Sequence, residues 1–368
     1  MIEPNMQPPQ KKEGVIRSLA GGATWLADFI DMAWAKFQNL TETNYRLACQ
    51  MVRQGRIEEG MRRFKITLWL SPNHVPSLYN LGCLYQHVGN KKQALECFVK
   101  VLRLQPTNEE ALYMVSGIKP ELIKPEMRPR RMPPLMAIEY FDTQATIYDQ
   151  HQQAQQYRMP VMVHQFLHTE LDSDMQRHDM LDLGCGTGLC GIQFRGEFSN
   201  IIGVDISNAM LDEAYRRLDD RGVKIYTRLM HQEARLAMRE MKAESIDVIL
   251  AISLFRYVGD LQGMFELMHQ VLRVGGYVAC SFDPYGQRGQ YGLMQQTGYF
   301  GHDVNYVLQH AQNAGFSVVR TGEVMGYPNV AQELCIFRKI SANKHAEQPE
   351  SPIDEPPPVN HDLPAENG

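Results

Sequence analysis

The sequence predicts a two-part protein: an all-α array of helical repeats followed by an α/β domain with a mostly parallel, seven-stranded sheet. Three observations carry this. The segment 41–74, shifted by 34 residues, lies on 75–108 with matching residue types; a proline-dense stretch interrupts the pattern at 119–134; and strands alternate with helices from 135 to about 340. At 368 residues the chain is long enough for two ordinary domains.

In the repeats, Leu47 falls on Leu81, Ala48 on Gly82, Gly55 on Gly89, Gly60 on Ala94, Phe64 on Phe98 and Pro72 on Pro106. Small residues at 48, 60, 82 and 94 allow two antiparallel helices to approach, the phenylalanines fill the space between them, and the prolines stop each second helix. The pattern resembles the tetratricopeptide repeat, and that resemblance implies a surface for a protein partner or peptide. A third unit begins at Glu109 and ends at Lys119–Pro120. Because such a stack needs about three units to bury a continuous core, a helix over 24–37 is expected to cap one end. Its Trp25, Leu26, Phe29, Ile30, Met32, Ala33 and Phe37 recur at helical spacing.

The stretch KPELIKPEMRPRRMPP, residues 119–134, holds five prolines, five bases and two acids, and reads as a semi-rigid, solvated linker. Beyond it the candidate strands are 180–183, 201–205, 228–231, 246–252, 277–282, 316–321 and 333–338, the last two pairing antiparallel at one edge. The expected organisation is therefore 1–23 disordered, 24–118 repeats, 119–134 linker, 135–340 α/β domain and 341–368 a disordered tail.

Six acids and one lysine in that tail account for the whole net charge of −5. The body is formally neutral, which argues against nucleic acid as a partner. An apolar run over Val15–Phe37 is broken by Arg17, Asp28, Asp31 and Lys36, so no membrane span is expected. The N-terminus lacks a signal-peptide pattern, and the seven cysteines form no CxxC pair. A cytoplasmic protein without disulfides or metal is the expectation.

The chemistry concentrates in LDLGCGTGLCG, residues 181–191, where the first strand turns toward a helix. Gly184, Gly186 and Gly188 let bare main chain approach a ligand, and Asp205 ends the next strand 21 residues after Gly184. That places both Asp182 and Asp205 at the carboxyl edge of neighbouring strands, with Asp205 set to accept hydrogen bonds from ribose hydroxyls. A dinucleotide fingerprint would need a third glycine where Leu189 stands, which disfavours NAD.

LDLGCGTG, followed by GVDISNAMLDEAYRR, resembles the cofactor site of the class I S-adenosylmethionine-dependent methyltransferases. YFDTQATIYDQH at 140–151, SIDVILAISLFRYVGDL at 245–261 and VLRVGGYVACSFD at 271–283 carry the resemblance further, toward methyltransferases fused to tetratricopeptide repeats. It implies S-adenosylmethionine as cofactor and a site in which Asp182 holds the loop, Gly184, Cys185, Gly186 and Gly188 pass beneath the ligand, and Asp205 binds the ribose. Ile206 would lie along the adenine, Glu233 (with Gln232 in reserve) would read its amine, and Ser253 would stand where relatives often carry an acid. Acceptor-side candidates are Tyr148, His151, Tyr157, Tyr257 and His302, the first three on a lid over the cofactor and His302 after a Gly/Gln/Tyr-rich mobile loop. The missing acid at 253 keeps open an alternative, a non-catalytic scaffold that retains the fold. The absence of an Asn-Pro-Pro-Tyr type motif argues against adenine or glutamine amides as acceptors.

Overall fold

In the computed structural model, residues 22–171 and 179–340 are described, with the side chains of 22–36 and 38 left aside. The expected disordered ends, and all the side chains proposed to form the N-terminal cap except the exposed Phe37, lie outside the described residues. The helical part consists of α1 (Gly22–Arg53), α2 (Ile57–Leu70), α3 (Val75–His87), α4 (Lys91–Leu104) and α5 (Glu109–Ile118). Instead of a separate capping helix followed by a repeat helix, α1 runs unbroken through both. The reason is local: Gln38, Asn39 and Leu40 contain neither proline nor glycine to end it.

Each helix pair is closed by the residues that repeat at 34. Gly55 and Gly89 take positive φ (+76° and +80°) where the first helix of a pair stops. Asn90 and Asn108 cap α4 and α5 by accepting the amides of Gln93 and Ala111. Ala48, Ala94, Phe64 and Phe98 are fully buried. A Cβ on Gly82 would sit 2.7 Å from the Phe98 ring, so glycine there is a packing requirement.

The linker is exposed over much of its length, but its second half is not a free hinge. Pro120–Leu122 and Pro125–Met127 form single 3-10 turns, after which the chain is strapped to the α/β domain. The Arg130 carbonyl accepts the amides of Gly259 and Asp260, and the Met132 amide donates to the Tyr257 carbonyl. Proline bars a regular helix here but leaves the carbonyls and the remaining amides free for such partners.

The α/β part continues with α6 (Pro134–Ala154), α7 (Met159–Glu170), β1 (Asp179–Leu183), β2 (Asn200–Asp205), α8 (Asn208–Arg216), β3 (Arg228–His231), α9 (Ala234–Glu240) and β4 (Ile246–Ala251). It ends with α10 (Met264–Val271), β5 (Leu272–Pro284), β6 (Tyr291–Leu293), β7 (Phe300–His302), α11 (Val304–Asn313), β8 (Phe316–Tyr327) and β9 (Val330–Lys339). The seven expected strands pair in the order β3-β2-β1-β4-β5-β9-β8, the first five parallel and the last two antiparallel. Two short strands make the sheet nine-stranded: β7 pairs parallel with the end of β5, and β6 antiparallel with β7. Apolar residues of α9, α10 and α11 cover one face of the sheet, and those of α7 and α8 the other.

The repeats and the sheet meet at this added hairpin. The Tyr113 hydroxyl of α5 donates to the Gly298 carbonyl at 2.6 Å, and its ring lies 6.0 Å from that of Phe300. Among the described residues, no helix is long and apolar enough to cross a membrane. Because Phe98 fills the gap between paired helices, Phe98→Ala is expected to cost about 3–5 kcal/mol in a urea unfolding titration.

Candidate functional site: a glycine loop and a tyrosine-lined cavity

After β1 the chain must reverse above the sheet, and it does so through three residues at positive φ: Gly184 (+70°), Gly186 (+53°) and Gly188 (+91°). The Gly184 and Cys185 amides donate to the Val204 carbonyl, which sews the loop to β2. At the end of β2, Asp205 accepts the Gly186 amide at 2.8 Å and the Ser207 amide at 2.9 Å, one on each oxygen. Burial pushes its carboxyl up from its usual value, while those amides pull the other way.

Asp182 has a different post. It is buried beneath the loop, accepts the Tyr226 hydroxyl at 2.7 Å, and does not line the cavity. The Tyr226 side chain in turn packs where side chains at Gly188 and Gly191 would stand, its ring 2.9 Å and its hydroxyl 2.5 Å from their respective ideal Cβ positions. Asp182 thus holds the loop from below, and glycine at 188 serves that packing. Burial pushes the Asp182 carboxyl up to about 7.

Helix α6 lies across the loop and is fastened at two points seven residues apart. Asp142 accepts the Ser207 hydroxyl at 2.6 Å, and Ser207 itself caps α8 through the Met210 amide. Asp149 accepts the Thr187 hydroxyl at 2.6 Å and pairs with Arg217, whose Nε donates to the Thr187 carbonyl. Between α6, the loop and the ends of β2 and β4 lies a cavity of about 740 Å³.

Its two ends differ in chemistry. At one end stand Gly184, Cys185, Gly186, Asp205, Ile206, Gln232 and Glu233. An ideal Cβ on Gly186 meets nothing within 4 Å, so bare main chain faces open space there. The Glu233 carboxylate is partly engaged, capping α9 through the Arg235 and Leu236 amides. The other end is walled by Tyr140, Phe141, Tyr148, Tyr157, Tyr257, Tyr299 and Tyr327. Phe141 and Tyr299 each meet the Tyr257 ring edge-on, at 5.0 and 5.4 Å. Arg256 enters between Tyr299 and Tyr327, at 5.2 and 5.8 Å from their ring centres, with its Nε donating to Asp283 at 2.7 Å. Burial pushes the phenols of Tyr148, Tyr157 and Tyr257 above their ordinary value, so they stay neutral hydrogen-bond groups.

Comparison with known proteins fits this geometry. Residues 180–276 match the family described as a methyltransferase domain, and residues 75–108 match the tetratricopeptide repeat. The chain carries a methyltransferase domain behind a tetratricopeptide repeat. It is similar to the probable S-adenosylmethionine-dependent methyltransferase CRG1 of Saccharomyces cerevisiae, 26% identical over 106 residues, which cover 29% of this chain and 36% of that protein. It is also similar to the 18S rRNA (guanine-N(7))-methyltransferase of Bos taurus, 27% identical over 180 residues, covering 43% and 53% respectively. The chain thus spans about half or less of the curated relatives it matches. A solved methyltransferase from Leishmania major aligns at a TM-score of 0.48 with 14% identity, over 66% of this chain and 91% of that one.

Most sequence-chosen residues converge on the cavity. Gly184, Cys185, Gly186, Asp205, Ile206, Gln232, Glu233, Ser253, Tyr148, His151, Tyr157 and Tyr257 line it. Ser253, at left-handed φ (+58°), is tied through its hydroxyl to that of Tyr157 at 3.0 Å. His302 is a correction. It is fully buried in β7, with Nε2 on the Gly259 carbonyl at 2.9 Å, and burial pulls its imidazole down to about 4. The loop expected to be mobile before it is the β6–β7 hairpin, whose pairing with β5 turns that imidazole into the core.

Asp142, Asp149, Arg217, Arg256, Tyr299 and Tyr327 were missed. Only the two aspartates left a trace, as acids seven apart on one helical face.

The Asp182 shift has a sign that can be measured. Its carboxyl ordinarily titrates near 3.8, so between that value and about 7 the folded chain holds a proton that the unfolded chain has released. The stability it contributes is complete at the acid end and is lost as pH rises through 7. Asp182→Asn is therefore expected to gain on the order of 2 kcal/mol relative to wild type between pH 5 and pH 8, read from paired denaturation curves. A pH-independent difference would contradict the assignment.

Proposed function

We propose that the chain is an S-adenosylmethionine-dependent methyltransferase whose acceptor enters the tyrosine-lined end of the cavity. The observation that carries this reading is the Gly186 amide held on the Asp205 carboxylate beside open space. The residues present fit the cofactor. A carboxylate offers about four acceptor directions. The amides of Gly186, Ser207 and Ile206 bear on the Asp205 carboxylate, and its remaining acceptor capacity is available to ribose hydroxyls. Ile206 supplies an apolar edge and Glu233 or Gln232 a polar one for the base.

When bound, S-adenosylmethionine supplies a methyl group already made electrophilic by its sulfonium. The work left to the protein is alignment and exclusion of water. Helix α6, fastened through Asp142 and Asp149, closes over the loop, and the tyrosine wall dries the acceptor end.

The acids lining the cavity are Asp205 and Glu233, both at the cofactor end, and the one imidazole among the described lining residues is His151. Such a wall suits an acceptor with a planar or apolar body that presents its own lone pair, such as an amine, over one that must first lose a proton to a carboxylate. The hairpin that contributes Thr297 and Tyr299 to this end is buttressed by Tyr113 of the repeats. In this reading a protein or peptide partner held on the repeats lies close to the acceptor wall.

Calorimetry of the full chain with S-adenosylhomocysteine tests the reading. One equivalent is expected to bind, and Asp205→Asn is expected to weaken binding by about tenfold or more while far-ultraviolet circular dichroism is unchanged. Absence of binding to wild type, or equal binding to both proteins, overturns it.

A further inference from the structure

Apart from the cavity, α7 carries a second cluster of donors. His164 and His168 are one turn apart on the helix, their rings 5.6 Å between centres and inclined by only 19°. Glu197, between the Gly191–Phe194 turn and β2, reaches both: Oε1 is 2.5 Å from His164 Nε2, and Oε2 is 3.5 Å from His168 Nδ1. The three donor atoms lie within 4.8 Å of one another. The buried Phe194 ring meets His164 edge-on at 5.0 Å and fixes its plane. The side chains are 28%, 57% and 21% exposed, so an ion can reach them from solvent.

We propose that His164, His168 and Glu197 form a binding site for a first-row divalent transition metal, with Zn²⁺ as the first choice. Two imidazole nitrogens and one carboxylate oxygen form a borderline donor set, suited to Zn²⁺, Co²⁺ or Ni²⁺ and unsuited to Mg²⁺ or Ca²⁺, which favour oxygen throughout. Ligand bonds of about 2.0–2.2 Å at tetrahedral angles place donor atoms roughly 3.3 Å apart. The imidazole nitrogens stand 2.5 and 3.5 Å from one or the other Glu197 oxygen, and one donor atom of each residue lies within 4.8 Å of the others, so a small opening of the His164–Glu197 contact and a turn of the carboxylate admit the ion. Binding replaces the proton shared by that pair with the metal and leaves at least one coordination position for water.

The expectation of no metal rested on the absence of paired cysteines, a test blind to a His-x₃-His pair completed by a distant glutamate. None of the three residues lines the cavity. What the metal would join is α7 and the segment that follows the glycine loop, whose Gly191 amide is bonded to Asp182. The site is therefore a structural cross-link, and it stands or falls independently of methyl transfer.

The test uses the full chain, stripped with a chelator, dialysed and titrated with ZnCl₂ by calorimetry with a parallel thermal melt. One equivalent is expected to bind and to raise the melting temperature, with no effect from MgCl₂ or CaCl₂. His168→Gln, at the most exposed of the three positions, is expected to fold normally and to lose affinity by about tenfold or more. Glu197→Gln guards against a chance effect at one position and is expected to show the same loss. Cobalt substitution is expected to give visible bands without the near-ultraviolet charge transfer of thiolate ligands, separating this site from the free cysteines. Absence of stoichiometric binding, undiminished affinity in both variants, or a thiolate signature overturns the proposal. S-adenosylhomocysteine binding, measured on the same variants, is expected to be unchanged.

Discussion

A single buried carboxylate organises the α/β half of this protein. Asp205 is taken out of water at the end of β2, which raises the cost of its charge, and two backbone amides offset part of that cost. One of those amides belongs to Gly186, so the bond that stabilises the charge also fixes the glycine loop. The other belongs to Ser207, whose hydroxyl caps α8 and receives α6 through Asp142. Loop, helix start and the helix across the loop are therefore arranged around one side chain, which itself lines the cavity.

The tyrosine-lined end has a different origin. Its wall is gathered from the strap, α6, the end of β4, the β6–β7 hairpin and the β8–β9 turn, elements spread over nearly two hundred residues. What holds them together is backbone pairing: Arg130 and Met132 on the segment after β4, and β7 on β5. The repeats join this arrangement through Tyr113 on the Gly298 carbonyl, one residue from Tyr299. The helical array and the tyrosine wall are thus mechanically continuous, which gives the joining of the two parts a physical meaning.

Much of the fold was legible because it is written in local, periodic terms. The strands show as apolar runs between glycines and polar turns, and β3, poorly patterned as it is, lies at the expected 228–231. The repeats show through a spacing of 34. The loop shows because three glycines at alternate positions after a strand have few other uses. The rest was hidden for identifiable reasons. A proline-rich segment reads as a hinge, since nothing local announces that its carbonyls will meet Gly259 and Asp260. The residues 283–302 look like a loose loop because three-residue strands and glycines carry no periodicity, and so His302 reads as an acceptor-side candidate rather than a core residue. Arg256, Tyr299 and Tyr327 meet only through the sheet, and the Asp149–Arg217 pair spans 68 residues, so no spacing could reveal either.

The central claim is that the Asp205 carboxylate and the bare main chain at Gly186 together form a nucleoside cradle. A crystal structure of the full chain with S-adenosylhomocysteine tests it most directly. The account predicts both ribose hydroxyls within hydrogen-bond distance of Asp205, with the ligand's sulfur turned toward the tyrosine wall. A nucleoside seated elsewhere, or one whose sugar makes no contact with that carboxylate, would contradict it.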